Sequence, residues 1–271
     1  VVPLSVEMLL PWAGRGGSVL PSSRDPVLSQ EDAGHHLRAI LAAHQIDNLL
    51  LFGGNGTLRH IPPRLREWGI PVMGIPTTID NDVPGTELTL GFDSACNFAY
   101  HAIDGACTTA HALRGRMFMV ETLGGTCGNL ALAVAEGAGA HAVILPEYAY
   151  SEDWLAARMK TMVEAQGYGL FVICEGSRGA RTLAEELPKL TGIRMRDVRL
   201  GHAQRGGTAS HRDRVLAAQM AGTAYRAFQE GVRFGVLVVR GGHLNVHTDP
   251  LPDAVILPDK AAYDRINGIS S

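Results

Sequence analysis

The sequence predicts an α/β protein made of two doubly wound, Rossmann-like lobes with mostly parallel sheets. Three observations carry that prediction. Short apolar runs alternate with stretches of helical periodicity along most of the 271 residues. Each glycine- or charge-rich loop follows one of those apolar runs, which is where ligands sit in open α/β sheets. No internal repeat, low-complexity tract or obvious linker divides the chain, so any lobes must share chain crossings.

The elements follow in order. Val1 to Pro26 is rich in Gly, Pro and Ser and reads as irregular. Ser29 to Ile46 reads as a helix with Ser29 as N-cap, Asp32 in a capping-box-like position, and Leu37, Ile40, Leu41 and His44 on one face. Asn48 to Phe52 is a continuous apolar run, expected to be a strand buried on both faces. It enters the loop GGNGT (Gly53 to Thr57), and a glycine loop between strand and helix offers free backbone N–H groups to a phosphate. Taken alone that motif is weak, since many such loops are only tight turns. Strands are expected at Pro71–Ile75, Met117–Glu121, Ala142–Leu145, Gly169–Glu175, near Leu200, Val236–Val239 and Leu244–Val246. Helices are expected at Ser94–Leu113, Leu130–Ala138, Trp154–Glu164 with Ser151 as cap, Ala180–Thr191 and His211–Gly231.

Composition excludes several classes. A net charge of −3 and the lack of any Lys/Arg tract give no footprint for nucleic acid. No apolar run approaches the roughly 18 residues of a membrane span, and the first residues have no basic n-region. The four cysteines, Cys96, Cys107, Cys127 and Cys174, lack CxxC spacing, so reduced thiols and a cytoplasmic protein are expected.

The chemistry concentrates in Ile75 to Asn97, where Asp80 and Asp82 share a turn-rich segment with Thr77, Thr78 and Thr86. Carboxylates this close repel unless a cation or a proton-bearing ligand joins them. The bland reading is a solvated Asx-rich turn. A second constellation is Arg196, His202 and Arg205 in RDVRLGHAQRGGT, joined by Arg116 ahead of a strand. Cations beside a glycine pair suit a phosphate, against a rival reading of a solvated loop. Glu175 closes an apolar strand, where it can accept hydrogen bonds from sugar hydroxyls or cap a helix. Arg24 faces either a phosphate or solvent. A base for an acceptor hydroxyl, a carboxylate for Mg²⁺ and cations for phosphate are the parts of a phosphoryl-transfer site.

The ordered motifs resemble the phosphofructokinase family from about Leu4 to Gly231. RGGSVLPSSR is similar to the family's RGGT-LGSSR, GGNGT to GGDGS, and PTTIDNDVPGTELTLGFDSA to PGTIDND-GTD-TIGFDTA. VETLGGTCGNLAL is similar to VEVMGRHCGDLAL, and LGHAQRGGTASHRDRVLA to LGHIQRGGSPT-FDRILA. The resemblance implies Asp80 as catalytic base for the sugar 1-hydroxyl, Thr78 as a transition-state hydroxyl, and Asp82 as the magnesium-linked aspartate. It implies His202 and Arg205 as ligands of the sugar 6-phosphate, with Arg116 and Arg196 reaching that phosphate from a neighbouring subunit. Glu175, Leu123 and Gly124 fall at sugar-contacting positions, and Arg24, Asn55, Gly56 and Thr57 at nucleotide-phosphate positions. The implied reaction is phosphoryl transfer from ATP, with Mg²⁺, to fructose 6-phosphate in a homodimer or homotetramer with shared active sites. The implied lobes are 1–91 plus 204–255 on the nucleotide side and 92–203 plus 256–271 on the sugar-phosphate side.

The pattern also breaks. The chain begins downstream of the family's opening strand and GGDAPG-like loop, so a truncated or divergent member is expected. Asn55 stands for the aspartate of GGDGS, Gly125 for the arginine of MGRHCG, and the segment after Pro250 matches poorly. Gly56 favours ATP over pyrophosphate, whereas Thr77 decides nothing. The alternatives are a non-catalytic sugar-phosphate-binding regulatory paralogue and a pyrophosphate-dependent enzyme.

Overall fold

The computed structural model describes residues 1–21, 28, 30 and 32–269. The chain forms two compact units. The first comprises Val1–Thr78, Asp82–Gly91 and Thr208–Val255, the second Ile79–Asn81, Phe92–Gly207 and Ile256–Ser271. The strand order mixes distant parts of the chain, and the short segment Ile79–Asn81 is the piece that changes units between Thr78 and Asp82.

The first unit opens with helix α1 (Val6–Leu9), whose N–H at Met8 is capped by Ser5 Oγ, and a 3₁₀ turn at Leu10–Trp12. The expected irregular opening is therefore partly helical. Helix α2 (Ala33–Ala43) is shorter than the expected span Ser29–Ile46, and Asp32 is its N-cap without a side-chain cap bond. Ser29 lies outside the described residues. Leu37 and Leu41 pack near Leu65, Ile70 and Val72, but Ile40 is exposed, so the buried stripe is narrower than the spacing predicts.

The sheet of this unit runs β1 (Leu49–Gly53), β2 (Val72–Thr78), β8 (Phe234–Arg240), β9 (His243–His247), with the two-residue β3 (Leu90–Gly91) on the carboxyl end of β2. All pairs are parallel except β8–β9. Helix α3 (Asn55–Glu67) follows β1, and α8 (His211–Gln229) precedes β8. β1 is not buried on both faces: it pairs with β2 alone among the described strands, and Leu50 and Phe52 are 46% and 60% exposed. A continuous apolar run does not reveal which of its faces is covered; β2, with five successive buried residues, is the strand that fits the expectation.

The second unit is a four-stranded parallel sheet ordered β5 (Ala142–Ile144), β6 (Tyr168–Cys174), β4 (Arg116–Thr122), β7 (Arg194–Arg199). Helices α4 (Phe92–Ala112), α5 (Asn129–Gly137), α6 (Glu152–Gln166), α7 (Ala180–Thr191) and α9 (Lys260–Asn267) belong to it. β4 and β6 are apolar on both faces and separate two core clusters, one around Val120, Val172 and Leu130, the other around Met119, Phe171 and Leu155. Ser151 caps α6 by accepting from Trp154 N–H at 3.0 Å. Asn267 joins α9 to β5, donating to Val143 O and accepting from Val143 N–H. Among the described residues no helix is long and apolar enough to cross a membrane.

Candidate functional site

In the first unit the candidate residues cluster at the carboxyl ends of β1 and β2. Gly53 ends β1, and α3 begins at Asn55 with Gly54 as N-cap and no side-chain cap bond. The first-turn N–H groups are thus left for an anion. Gly56 is exposed with open space beside its Cα, and Thr57 is half-buried. Thr78 stands next to this turn: a Cβ built on Gly54 would lie 3.4 Å from the Thr78 Cβ. Its carbonyl accepts from Thr89 Oγ1 at 2.7 Å, and β3 pairs alongside. Asp82 Oδ1 and Asn55 Oδ1 are buried oxygens with no hydrogen-bond partner. Buried acceptors in that condition are costly unless a cation or a donor meets them, and hard oxygens are what magnesium takes. No group of three or more His, Cys, Asp and Glu side chains poised for a metal occurs among the described residues. Any magnesium here would complete its shell with phosphate oxygens and water, as that ion commonly does. Arg24 lies outside the described residues.

In the second unit Asp80 is half-buried, and its backbone is fixed by residues from the start of α5. Cys127 Sγ lies 3.6 Å from Asp80 O, and Asn129 Nδ2 donates to Asn81 O at 3.0 Å. Asn81 occupies the left-handed region at φ 49°, which asparagine tolerates better than most residues. The next loop, Leu123 to Gly128, packs on the end of β6. Glu175 Oε1 accepts from Gly125 N–H at 3.0 Å. The Cys174 thiol faces Gly125 O and Cys127 O at 3.5 Å each. Burial pushes that thiol up to about 12, so it remains a protonated donor. Gly124 sits at φ 141°, and a Cβ there would come 2.5 Å from Cys127 O; only glycine fits.

Leu123 does not present its side chain to a ligand: it is 3% exposed and packs in the core. What it offers is its backbone N–H, which donates to Gln204 Oε1 at 2.7 Å. Gln204 is 2% exposed and also donates to Ala95 O at 3.3 Å. This pair of bonds fixes the 3₁₀ turn Gly201–Arg205, which carries the exposed His202 and Arg205, beside the carboxyl end of β4. Arg116 and Arg196 are not brought to that end. Arg116 opens β4 and Arg196 pairs with Phe118, whereas Glu175 follows the strand that pairs with Thr122. Arg116 lies six residue steps along the strand from Thr122, about 20 Å.

Gln204, Asn129 and Cys127 hold the site loops and are not singled out by the sequence reading. The available signal was a polar residue in a motif already rich in chemistry, HAQRGG and GTCGN.

The phosphofructokinase family profile matches residues 1–228. The ATP-dependent 6-phosphofructokinase of Coxiella burnetii is 34% identical over 255 residues, covering 93% of this chain and 77% of that protein. That of Tolumonas auensis is 38% identical over 218 residues, covering 80% of this chain and 68% of the relative. Among solved structures, phosphofructokinase from Saccharomyces cerevisiae superposes with a TM-score of 0.81 at 26% identity, over 98% of this chain and 40% of the yeast chain. A pyrophosphate-dependent phosphofructokinase from Marinobacter aquaeolei matches at a TM-score of 0.76 and 21% identity over 89% of this chain and 67% of its own, a likeness of fold. A profile spanning most of the sequence, with relatives above 30% identity on the same α/β architecture, makes this chain a member of the phosphofructokinase family.

Proposed function

We propose that the chain is an ATP-dependent 6-phosphofructokinase, transferring a phosphoryl group to the 1-hydroxyl of fructose 6-phosphate to give fructose 1,6-bisphosphate. The observation that carries this reading is the segment Thr78–Asp82, kept whole in sequence and anchored through the carbonyls of Thr78, Asp80 and Asn81. The relatives named ATP-dependent 6-phosphofructokinase supply the reaction.

In this reading Asp80 accepts the proton of the 1-hydroxyl, and the bonds from Cys127 and Asn129 hold its backbone while it does so. Thr78 supplies a hydroxyl to the transferring group. His202 and Arg205 hold the 6-phosphate by charge-assisted hydrogen bonds. Glu175 orients the sugar with one carboxylate oxygen while the other is kept by Gly125 N–H. The open first turn of α3, through Asn55, Gly56 and Thr57, receives the nucleotide phosphates. Asp82, with Asn55, would hold magnesium, which neutralises charge on the transferring phosphoryl group. Arg116, about 20 Å along β4 from Thr122, and Arg196 on β7, opposite Phe118 of β4, serve a neighbour's 6-phosphate, in a homodimer or homotetramer of a cytoplasmic enzyme.

The test is a coupled aldolase assay with ATP and Mg²⁺. Turnover is expected; tight fructose 6-phosphate binding without turnover overturns the reading. That outcome favours the second reading, a sugar-phosphate-binding regulatory paralogue, whose motive is the absence of an aspartate at Asn55 and of an arginine at Gly125. Turnover with pyrophosphate and none with ATP assigns the other donor.

A further inference from the structure

The strand turn between β8 and β9 is Gly241–Gly242, with φ 57° and 75° at the two positions. A two-residue hairpin turn with both residues left-handed demands glycine-like backbone, and it points two successive N–H groups outward. A pair of N–H groups so disposed makes a small anion nest. Here the anion is a side chain from the same unit. Glu87 accepts from Gly241 N–H through Oε1 at 2.6 Å and from Gly242 N–H through Oε2 at 3.1 Å. Both contacts hold its carboxyl below the usual carboxylate range.

The contact is one of a row along the same segment. Arg240 Nε donates to Gly85 O at 2.9 Å, Val239 N–H to Thr86 Oγ1 at 2.9 Å, and Glu87 N–H to Val239 O at 2.9 Å. Five residues ahead of Glu87 stands Asp82, followed at once by Val83, which is fully buried against Leu58, Val236, Val238 and Leu251. The stretch carrying Asp82 is therefore fixed to β8 by Val83 and to the β8–β9 turn by Glu87. Asp82 Oδ1 itself has no hydrogen-bond partner, so its position is set through the backbone of this stretch.

We infer that Glu87 is a positioning residue: by seating its carboxylate in the Gly241–Gly242 nest it holds the Asp82 segment in the geometry that binds magnesium. This rests on the proposed magnesium role of Asp82.

The test compares the full chain with Glu87→Gln and Glu87→Asp. Gln keeps the shape but supplies one acceptor and an amide N–H group to a pair of donors; Asp keeps the charge on a shorter arm. Hydrogen exchange is read for the peptide spanning residues 82–88, Mg²⁺ affinity by calorimetry with an ATP analogue present, and kcat against KM for fructose 6-phosphate. Expected for Glu87→Gln is about a tenfold rise in exchange in that peptide and at the Gly241 and Gly242 amides that lose their carboxylate, and Mg²⁺ binding weakened about fivefold to tenfold. KM for fructose 6-phosphate should stay within about twofold, since its proposed phosphate ligands lie on other elements, and Glu87→Asp should recover part of the loss. Unchanged exchange, or changed exchange with unchanged Mg²⁺ affinity, overturns the inference. A chain that shows no turnover before any substitution overturns the enzymatic reading alone, because exchange and Mg²⁺ affinity still decide the clamp.

Discussion

The two units hold their candidate residues in different ways. In the second unit each site loop is fastened by buried or half-buried polar groups: Gln204 to Leu123 and Ala95, Asn129 to Asn81, and Cys174 across the Gly125–Cys127 loop. In the first unit the stretch after Asp82 is fastened to β8 and its turn by Thr86 and Glu87, but the start of α3 has no side-chain cap, and Asn55 and Asp82 each keep a buried oxygen without a partner. β1, which delivers that turn, has one face open to solvent at Leu50 and Phe52. Fastened loops hold a substrate in a fixed pose; unpartnered oxygens and open N–H groups are places where a ligand must supply the missing bonds. Buried oxygens without a partner also occur in the second unit, at Thr122 and Ser177, so the contrast lies in how the loops are fastened. On the proposed function it gives the pre-organised work to the sugar-phosphate side and leaves nucleotide and metal to complete the donor side.

The sharpest way to break that assignment is Asp80→Asn. An amide cannot take the proton of the acceptor hydroxyl, yet it preserves shape and leaves the bonds at Asp80 O and Asn81 O in place. Loss of a general base predicts a fall in kcat of about 10²–10⁴-fold, with KM for fructose 6-phosphate little changed. An unaffected kcat in steady-state assays would remove Asp80 from the chemistry and with it the division of labour.

Gln204→Leu attacks the fastening itself. It leaves Leu123 N–H and Ala95 O without their present partner in a site where Gln204 is 2% exposed. Ala95 O keeps its bond within α4, so one buried N–H, that of Leu123, is deprived, which predicts a loss of about 1–3 kcal/mol, read by urea unfolding. Because the turn with His202 and Arg205 is then loosened, KM for fructose 6-phosphate should rise about tenfold or more at constant Mg²⁺ dependence. A variant that loses stability but keeps KM would make Gln204 a core residue only.

The same contrast explains what the sequence could disclose. The alternation of β2, β4 and β6 with helices was legible because their runs are apolar without interruption, and Ser151 was legible because its cap acts on the residue three positions away. Gln204 and Asn129 were not, since the bonds that define them span 81 and 48 residues of chain, and such pairings appear only once the sheet brings the loops together. β1 failed for a related reason: Leu49 to Phe52 are all apolar, so the pattern carries no mark of the face that remains open. Motif position sets Leu123 at the sugar, whereas its side chain lies in the core and its backbone N–H is bound to Gln204.

Asn55→Asp tests the donor side. Replacing the amide by a carboxylate puts charge on an oxygen that now lacks a partner. If magnesium completes this site, its affinity should rise, by about fivefold to tenfold, with no change in KM for fructose 6-phosphate. A fall in stability without a gain in Mg²⁺ affinity would show that the buried position rejects charge and that the metal lies elsewhere.

The smallest effect supplies the control. Ser151 caps α6 by accepting from Trp154 N–H, on an element that carries none of the candidate residues. Ser151→Ala removes that acceptor and leaves one more first-turn N–H to solvent, a loss of about 1 kcal/mol. In a domain of this size that corresponds to roughly 2–4 °C in Tm, measurable by calorimetry. Since nothing at the cap touches Asp80, Glu175 or the Gly201–Arg205 turn, kcat and KM should match the unsubstituted chain. If activity falls in step with this small loss of stability, the falls expected for Gln204→Leu report general weakening of the second unit rather than a loosened phosphate turn. If activity holds while Tm drops, the fastening bonds act locally, and the difference between the two units is one of function and not merely of stability.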